Sequence, residues 1–275
     1  MPLSGLAKTV VGILLILFPA ALTAQVRVGV RPSPKPGEMI HVTARQEVVL
    51  RFGTKPEEPG PDYLHINNAV TYTQTNGAVG ADGKLDAKIV LETLQFDEAL
   101  GGNPRKGPDT SGVKGRILVV TFDGTGKLLG IKVPPDMREV SSRLTQLLAG
   151  AYGIINFLPQ VELAVDEETT QTTELPMRLP GNVSQGPLQA ETTLKLRTLD
   201  KQGDSRIARL QQDIAVATAT TTIQITGGGT IDVNLDRGFV SGTETEWKIS
   251  GTMQQKDGTP GPPFFSSIKV SVSAN

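Results

Sequence analysis

Two turns hold the residues best placed to do chemistry. Phe122-Asp123-Gly124-Thr125-Gly126 and Leu235-Asp236-Arg237-Gly238 each set an aspartate after an apolar run. Two such aspartates could form a paired-carboxylate hydrolase site sharing one proton. That chemistry needs Asp-Thr/Ser-Gly, and neither turn has it. Asp and Gly also supply the positive φ of hairpin turns, which accounts for both. Asp232, Asn234 and Asp236 alternate with Ile231, Val233 and Leu235 and could offer three oxygens to a cation. A Ca²⁺ loop would need Gly at its sixth position and Glu at its twelfth, where Arg237 and Thr243 stand. A flat strand would also spread same-face ligands by about 6.6 Å. Gly126-Lys127 lacks the P-loop spacing, with Leu128 where a hydroxyl residue is required. Of the two histidines, His41 falls on a polar strand face and His65 in a loop, with no nucleophile elbow near either. No catalytic set, metal site or cofactor is expected, and the chain reads as non-enzymatic.

Composition bounds what these residues can belong to. At 275 residues with 38% apolar and 20% charged content, the chain can bury a sizeable core. Aromatics are only 4%, whereas Thr, Val, Gly and Pro are plentiful, a mix that favours strands and turns. The net charge of −1, with no basic face, argues against nucleic acid as a partner. Lys8, the apolar block Val10 to Leu22 and the small residues ending at Ala24 read as a secretory signal over residues 1–24. The block is too short to span a bilayer comfortably. The expected location is therefore the periplasm or the extracellular space after cleavage near Ala24. Cysteine is absent, so neither a disulfide framework nor a lipidated thiol is available.

Residues 25–37 read as a Pro-rich lead-in and 38–275 as one β-rich domain. Loops are expected near 53–62, 101–112 and 256–263, where Pro and Gly cluster. Strands are predicted over Met39 to Phe52, around Val70 to Asn76, over Leu85 to Phe96, and on both sides of the Asp123 turn. Further strands are predicted over Leu188 to Leu199, Ile207 to Val216, Thr220 to Ile225, Ile231 to Leu235, Val240 to Met253 and Ser266 to Val272, whereas Glu162 to Ser184 reads as largely irregular. One helix is predicted after Pro134-Pro135, with Asp136 as cap and Glu139 completing a capping box. Met137, Val140, Leu144, Leu147, Leu148 and Ala151 share its apolar face; Arg138, Ser142, Arg143 and Gln146 fall mostly on the other. The run Gly115 to Asp123 echoes Gly229 to Asp236 with one residue of slip. A duplicated β-unit would give this echo, and so would the general likeness of strand-turn-strand units.

The hairpin Phe122-Asp123-Gly124-Thr125-Gly126-Lys127-Leu128-Leu129-Gly130, the following helix ending Asn156-Phe157-Leu158-Pro159, and the later Gly227-Gly228-Gly229 resemble bacterial families of secreted or lipoprotein-type β-proteins of unknown function. The chain departs from them in lacking a lipobox Cys and a Gly-Asp-x-Trp after the helix. The resemblance implies class and location and no activity.

The expected fold is mainly β (α+β): a long curved antiparallel sheet or half-barrel packed on one amphipathic helix, as in periplasmic lipid carriers similar to LolA. The expected role is a non-enzymatic envelope protein holding an apolar small molecule or lipid, with Met137, Val140, Leu144 and Leu148 facing it. The alternating strands would equally build an ordinary packed core, leaving a structural module or one that binds another envelope protein. An outer-membrane barrel is disfavoured by the scarcity of aromatics for two girdles.

Overall fold

Period-two alternation builds long strands, and their pairing order makes one sheet. The computed structural model describes residues 25–53, 64–175, 188–216, 223–254 and 259–275. Its elements are β1 (Arg27–Gly29), β2 (Met39–Phe52), β3 (Leu64–Val79), β4 (Leu85–Leu100), β5 (Asn103–Arg105), β6 (Ile117–Phe122), β7 (Leu128–Lys132), α1 (Arg138–Gly153), β8 (Glu162–Ala164), β9 (Glu168–Leu175), β10 (Leu188–Gln202), β11 (Ser205–Val216), β12 (Gln224–Asn234), β13 (Phe239–Gln254) and β14 (Pro260–Ala274). Twelve strands form an antiparallel sheet that is curved but not closed, in the order β7-β6-β4-β3-β2-β14-β13-β12-β11-β10-β9, with β5 on β4. Each half is a meander, and the central β2–β14 pair joins them.

The inner face of this sheet is covered in two parts. α1 touches β2, β3, β7 and β14. Its Val140, Leu144, Leu147 and Leu148 form one core with Val42, Ala44, Val70, Tyr72, Ile89 and Phe122. The other half is covered by the small β1–β8 sheet and the 3-10 turn Ile154–Phe157. Here Val28, Val30, Ile154 and Leu163 meet Leu194, Leu210 and Ile231. Complete burial of each such side chain contributes about 1.5–3 kcal/mol, which suits a chain without disulfides.

Several elements depart from the sequence expectation, each for a local reason. Glu168–Leu175 is a strand, β9, although its Thr-rich text hides alternation. It is an edge strand, so Thr propensity and pairing with β10 alone suffice. Within the expected loop 101–112, Asn103–Arg105 pairs with the end of β4. In the expected loop 256–263, Pro260 already belongs to β14: the prolines need donate nothing, and the Pro263 carbonyl accepts the Gly53 amide. The 54–62 and 256–258 portions of the expected loops, the predicted strand start at Thr220 and the signal stretch 1–24 lie outside the described residues. β3 is longer than predicted because Asn68, Gln74 and Asn76 occupy inner positions and are buried there. Asp136 does not cap α1; it pairs with Arg116 at 2.5 Å, and a 3-10 turn, Pro135–Met137, leads into the helix instead.

The Pro-rich stretch after β1 ties the two aspartate turns together. Arg31 donates to the Thr125 carbonyl and hydroxyl, Lys35 to the Asp236 carbonyl, and Arg237 to Glu38. Gly238, at φ 75°, lies against the Ser33 backbone, where a side chain would collide.

Candidate functional site

Met137, Val140, Leu144 and Leu148 sit together in the core beneath α1, each no more than 5% exposed. The apolar space beside this core is a cavity of only about 60 Å³, lined nearer the helix C-terminus by Ala151, Tyr152, Ile155, Tyr72, Phe122 and Phe239. None of the four expected residues lines it. Tyr152 packs edge-on to Phe122 at 5.2 Å and donates to Gln74 Oε1 at 2.6 Å; Gln74 donates onward to Asn76, and Asn76 to the Lys35 carbonyl. Burial pushes the Tyr72 and Tyr152 hydroxyls well above the ordinary phenol range, so both stay protonated donors.

Beyond the edge of α1 runs a further row of the inner face, whose Ile268 and Trp247 also pack against a third core of Phe157, Ile214, Ile249 and Phe264. Ile66, Val48, Ile268 and Trp247 stand in register across four strands, and all are half-buried. Leu64 and Leu50 continue this apolar strip in the next row. Trp247 is anchored by Phe157, with ring centroids 5.5 Å apart.

A polar seam separates the strip from the packed core. Arg143 reaches from α1 to Glu98 at 2.6 Å and lies 5.9 Å over the Phe96 ring. Phe96 pairs in register with Asn68, and Glu98 with Ile66. Asn68 donates to Gln46 at 3.2 Å. Two atoms of this seam, Arg143 Nη1 and Asn68 Oδ1, are buried and find no hydrogen-bond partner. Sequence reading placed Arg143 on the solvent face of the helix. Its long stem lets the guanidinium curl back to the sheet, which periodicity does not register.

The aspartates and histidines of the opening motifs are used for structure. The Asp123 carboxylate accepts from the Thr125 amide, the Thr125 hydroxyl and the Lys127 amide at 2.7–2.9 Å. Burial alone would raise its pKa, but these hydrogen bonds, with Arg31 nearby, hold it below the usual aspartate range. Asp232 makes a two-pronged pair with Arg209 at 2.8 Å, and Asp236 pairs with Arg206 at 2.6 Å. Asn234 accepts the Arg237 amide, so the three oxygens proposed for a cation serve three separate partners. His65 lies in β3, not in a loop, beside Glu47 at 3.0 Å; His41 faces Glu92 at 3.1 Å.

The Asp123 turn carries a pH prediction. A folded pKa below the unfolded one contributes stability above about pH 3.9, and that contribution is lost as pH falls through the lower folded value. Asp123→Ala is expected to lower the urea midpoint, and by more near neutral pH than at about pH 2, because the contribution fades as pH falls below about 3.9. An equal gap at both pH values would refute the assignment.

On the opposite, outer face, β2, β3, β4, β12, β13 and β14 line a trough of about 710 Å³. Its walls carry Arg45, Glu47, Asp97, Glu244, Glu246 and Lys269. It is open and ringed by charged side chains.

Fold and site together define a class: a non-closed antiparallel sheet wrapped on a single helix, with an apolar strip beside that helix. No described helix is long and apolar enough to cross a membrane. No protein-family model matches the chain, and no curated protein matches it. Among solved structures, one on lipid–protein interactions in lipovitellin superposes with a TM-score of 0.50 at 11% identity, over 88% of this chain and 25% of that one. The chain thus spans a quarter of that protein's length, and the likeness is one of fold. DynF from the dynemicin biosynthesis pathway of Micromonospora chersina aligns at 6% identity over 92% of this chain and 86% of its own, with a TM-score of 0.20. An outer membrane channel from Pseudomonas putida F1 aligns at 9% over 91% and 100%, with a TM-score of 0.21. At those scores neither bears on the fold.

Proposed function

We propose that this protein is an exported, non-catalytic binder of an apolar ligand, held on the inner face of the sheet against the edge of α1. The observation that carries the reading is the strip Ile66–Val48–Ile268–Trp247, half-buried on the same face that α1 covers on one side and the small β1–β8 sheet with the Ile154–Phe157 turn on the other. Apolar side chains left half in water gain about 25 cal/mol for each Å² that a ligand covers. An aliphatic chain laid along the strip would supply that cover. The sheet's likeness to the fold of lipovitellin, studied for its lipid–protein interactions, supports the same class of ligand. The small cavity beneath α1 holds no chain, so the ligand lies beside α1 or displaces it.

A second reading, a protein-interaction module, is favoured by the open, charge-ringed trough on the outer face. The two are separated by native mass spectrometry of the full chain, purified without detergent and incubated with vesicles of phosphatidylethanolamine and phosphatidylglycerol. An added lipid mass is expected. A mass that stays free of lipid would overturn the first reading and leave the second.

A further inference from the structure

We infer that this protein associates head to tail with further copies of itself, the β7 edge of one sheet adding to the β9 edge of the next. The inference is independent of the apolar strip, which crosses the middle of the sheet on β3, β2, β14 and β13. The sheet is not closed, so β7 and β9 each end it with one side unpaired among the described residues. Unpaired edge amides and carbonyls are a template for another strand, and proteins guard such edges with charges, prolines or bulges. β9 is poorly guarded. It pairs with β10 in unbroken register over its 8 residues, and Thr169, Thr170, Gln171, Thr172 and Thr173 bring neither charge nor proline to it. On β7, Leu129 is 48% exposed, and nothing lies within 4 Å of where a β-carbon on Gly130 would stand.

Charge makes the two edges partners for each other. Lys127 just before β7 and Lys132 at its end are exposed, and neither has an ion-pair partner among the described residues. The acids nearest β7 in the chain are already answered, Asp123 by Arg31 and Asp136 by Arg116. Two strands further in, Asp86 and Lys88 cancel. β9 is the reverse. Asp166, Glu167 and Glu168 stand in a row where it begins. Arg27 takes Glu167 at 2.8 Å and Lys195 takes Asp166 at 3.5 Å, which leaves Glu168 without a cation although Lys195 is its registered neighbour. Glu191, exposed and in register with Thr172, adds to the surplus of negative charge. Pairing either edge with its own copy would add like charge to like, whereas β7 on β9 joins opposite signs. The register that does so with matching faces is antiparallel, with Lys132 opposite Glu168, Ile131 opposite Thr169 and Gly130 opposite Thr170. Ile131 and Thr169 then share the inner face, and Lys132, Gly130, Glu168 and Thr170 the outer one. Toward Leu128 the register of β7 on β6 slips, so the regular contact is short and the association weak. Such a contact is heterologous and repeats from copy to copy.

Sedimentation velocity on the full chain tests this as concentration is raised about a hundredfold. The average mass is expected to climb above that of one chain, and a single-chain mass throughout overturns the inference. Lys132→Glu and Glu168→Lys are each expected to weaken association about fivefold, the effect of reversing one cross-strand charge pair. Mixing the two variants should restore it, because the altered β7 of one then meets the altered β9 of the other with opposite signs. Weakening by only one of the two reversals, or a mixture that associates no better than either variant alone, overturns the pairing of β7 with β9. Both side chains are exposed, so neither variant should shift the urea midpoint, and repair on mixing separates a charge contact from a change of fold.

Discussion

Leu144→Ala is expected to destabilise the protein by about 2–5 kcal/mol, the range for deleting a buried leucine side chain where the walls cannot collapse. Leu144 is fully buried and lies in the core that α1 shares with β2, β3, β4 and β6. Two rigid bodies meet there, a helix and a sheet, so little can move into the space left behind. Urea unfolding followed by circular dichroism measures the change, with the exposed Arg138→Ala expected to stay within about 0.5 kcal/mol of the parent. A loss below about 1 kcal/mol for Leu144→Ala would mean that α1 is not docked as described. The experiment also bears on ligand binding. If α1 is a cover that apolar ligands displace, Leu144→Ala weakens the cover, and lipid uptake should become easier as stability falls. If the core is a fixed wall, stability falls and uptake does not change.

The elements most legible in the sequence are those whose side chains obey one period throughout. β2 alternates from Ile40 to Phe52, and α1 repeats Val140, Leu144, Leu147 and Leu148 on one face; both stand where that pattern puts them. Elements without a buried face of their own were hidden. β9 needs only a partner on one side, and the proline-bearing start of β14 only its carbonyls. The candidate site was hidden for a related reason. Gln46, Asn68 and Gln74 sit on the inner face, yet a polar residue in an alternating run reads as outward-facing until the register is known. The four residues expected to face a ligand, Met137, Val140, Leu144 and Leu148, are buried in the core between α1 and the sheet. The half-buried strip lies several residues away along β2 and β3, and only strand pairing brings Ile66, Val48, Ile268 and Trp247 into one row. Their positions are too far apart in the chain for any local pattern to join them.

Gly229→Ala should be strongly damaging, costing about 3 kcal/mol or more. A β-carbon at Gly229 would overlap the Glu244 carbonyl oxygen and come within 2.8 Å of the Thr245 Cα. These are backbone atoms of the paired strand β13, so relief cannot come from a side-chain rotation; the strands must part. Gly227 and Gly228 are tight as well: a β-carbon there would stand 3.0 Å from the Glu246 carbonyl oxygen and 2.8 Å from the Gln212 carbonyl oxygen, respectively. Three glycines in a row thus let β11, β12 and β13 approach closely in the middle of the sheet, where the outer trough is floored by Gly228 and Gly229. The run Gly227-Gly228-Gly229 therefore shapes the sheet and needs no ligand of its own. Gly153 provides the contrast: it closes α1 with nothing within 4 Å of a β-carbon. Gly153→Ala is expected to be neutral or to stabilise by up to about 1 kcal/mol, because alanine loses less backbone entropy in a helix. Urea midpoints of the two variants should move apart from the parent in opposite directions, or Gly229→Ala alone should fall. A Gly229→Ala midpoint equal to the parent's would show that β12 and β13 are not held this closely, and the curvature of the sheet would then need another cause.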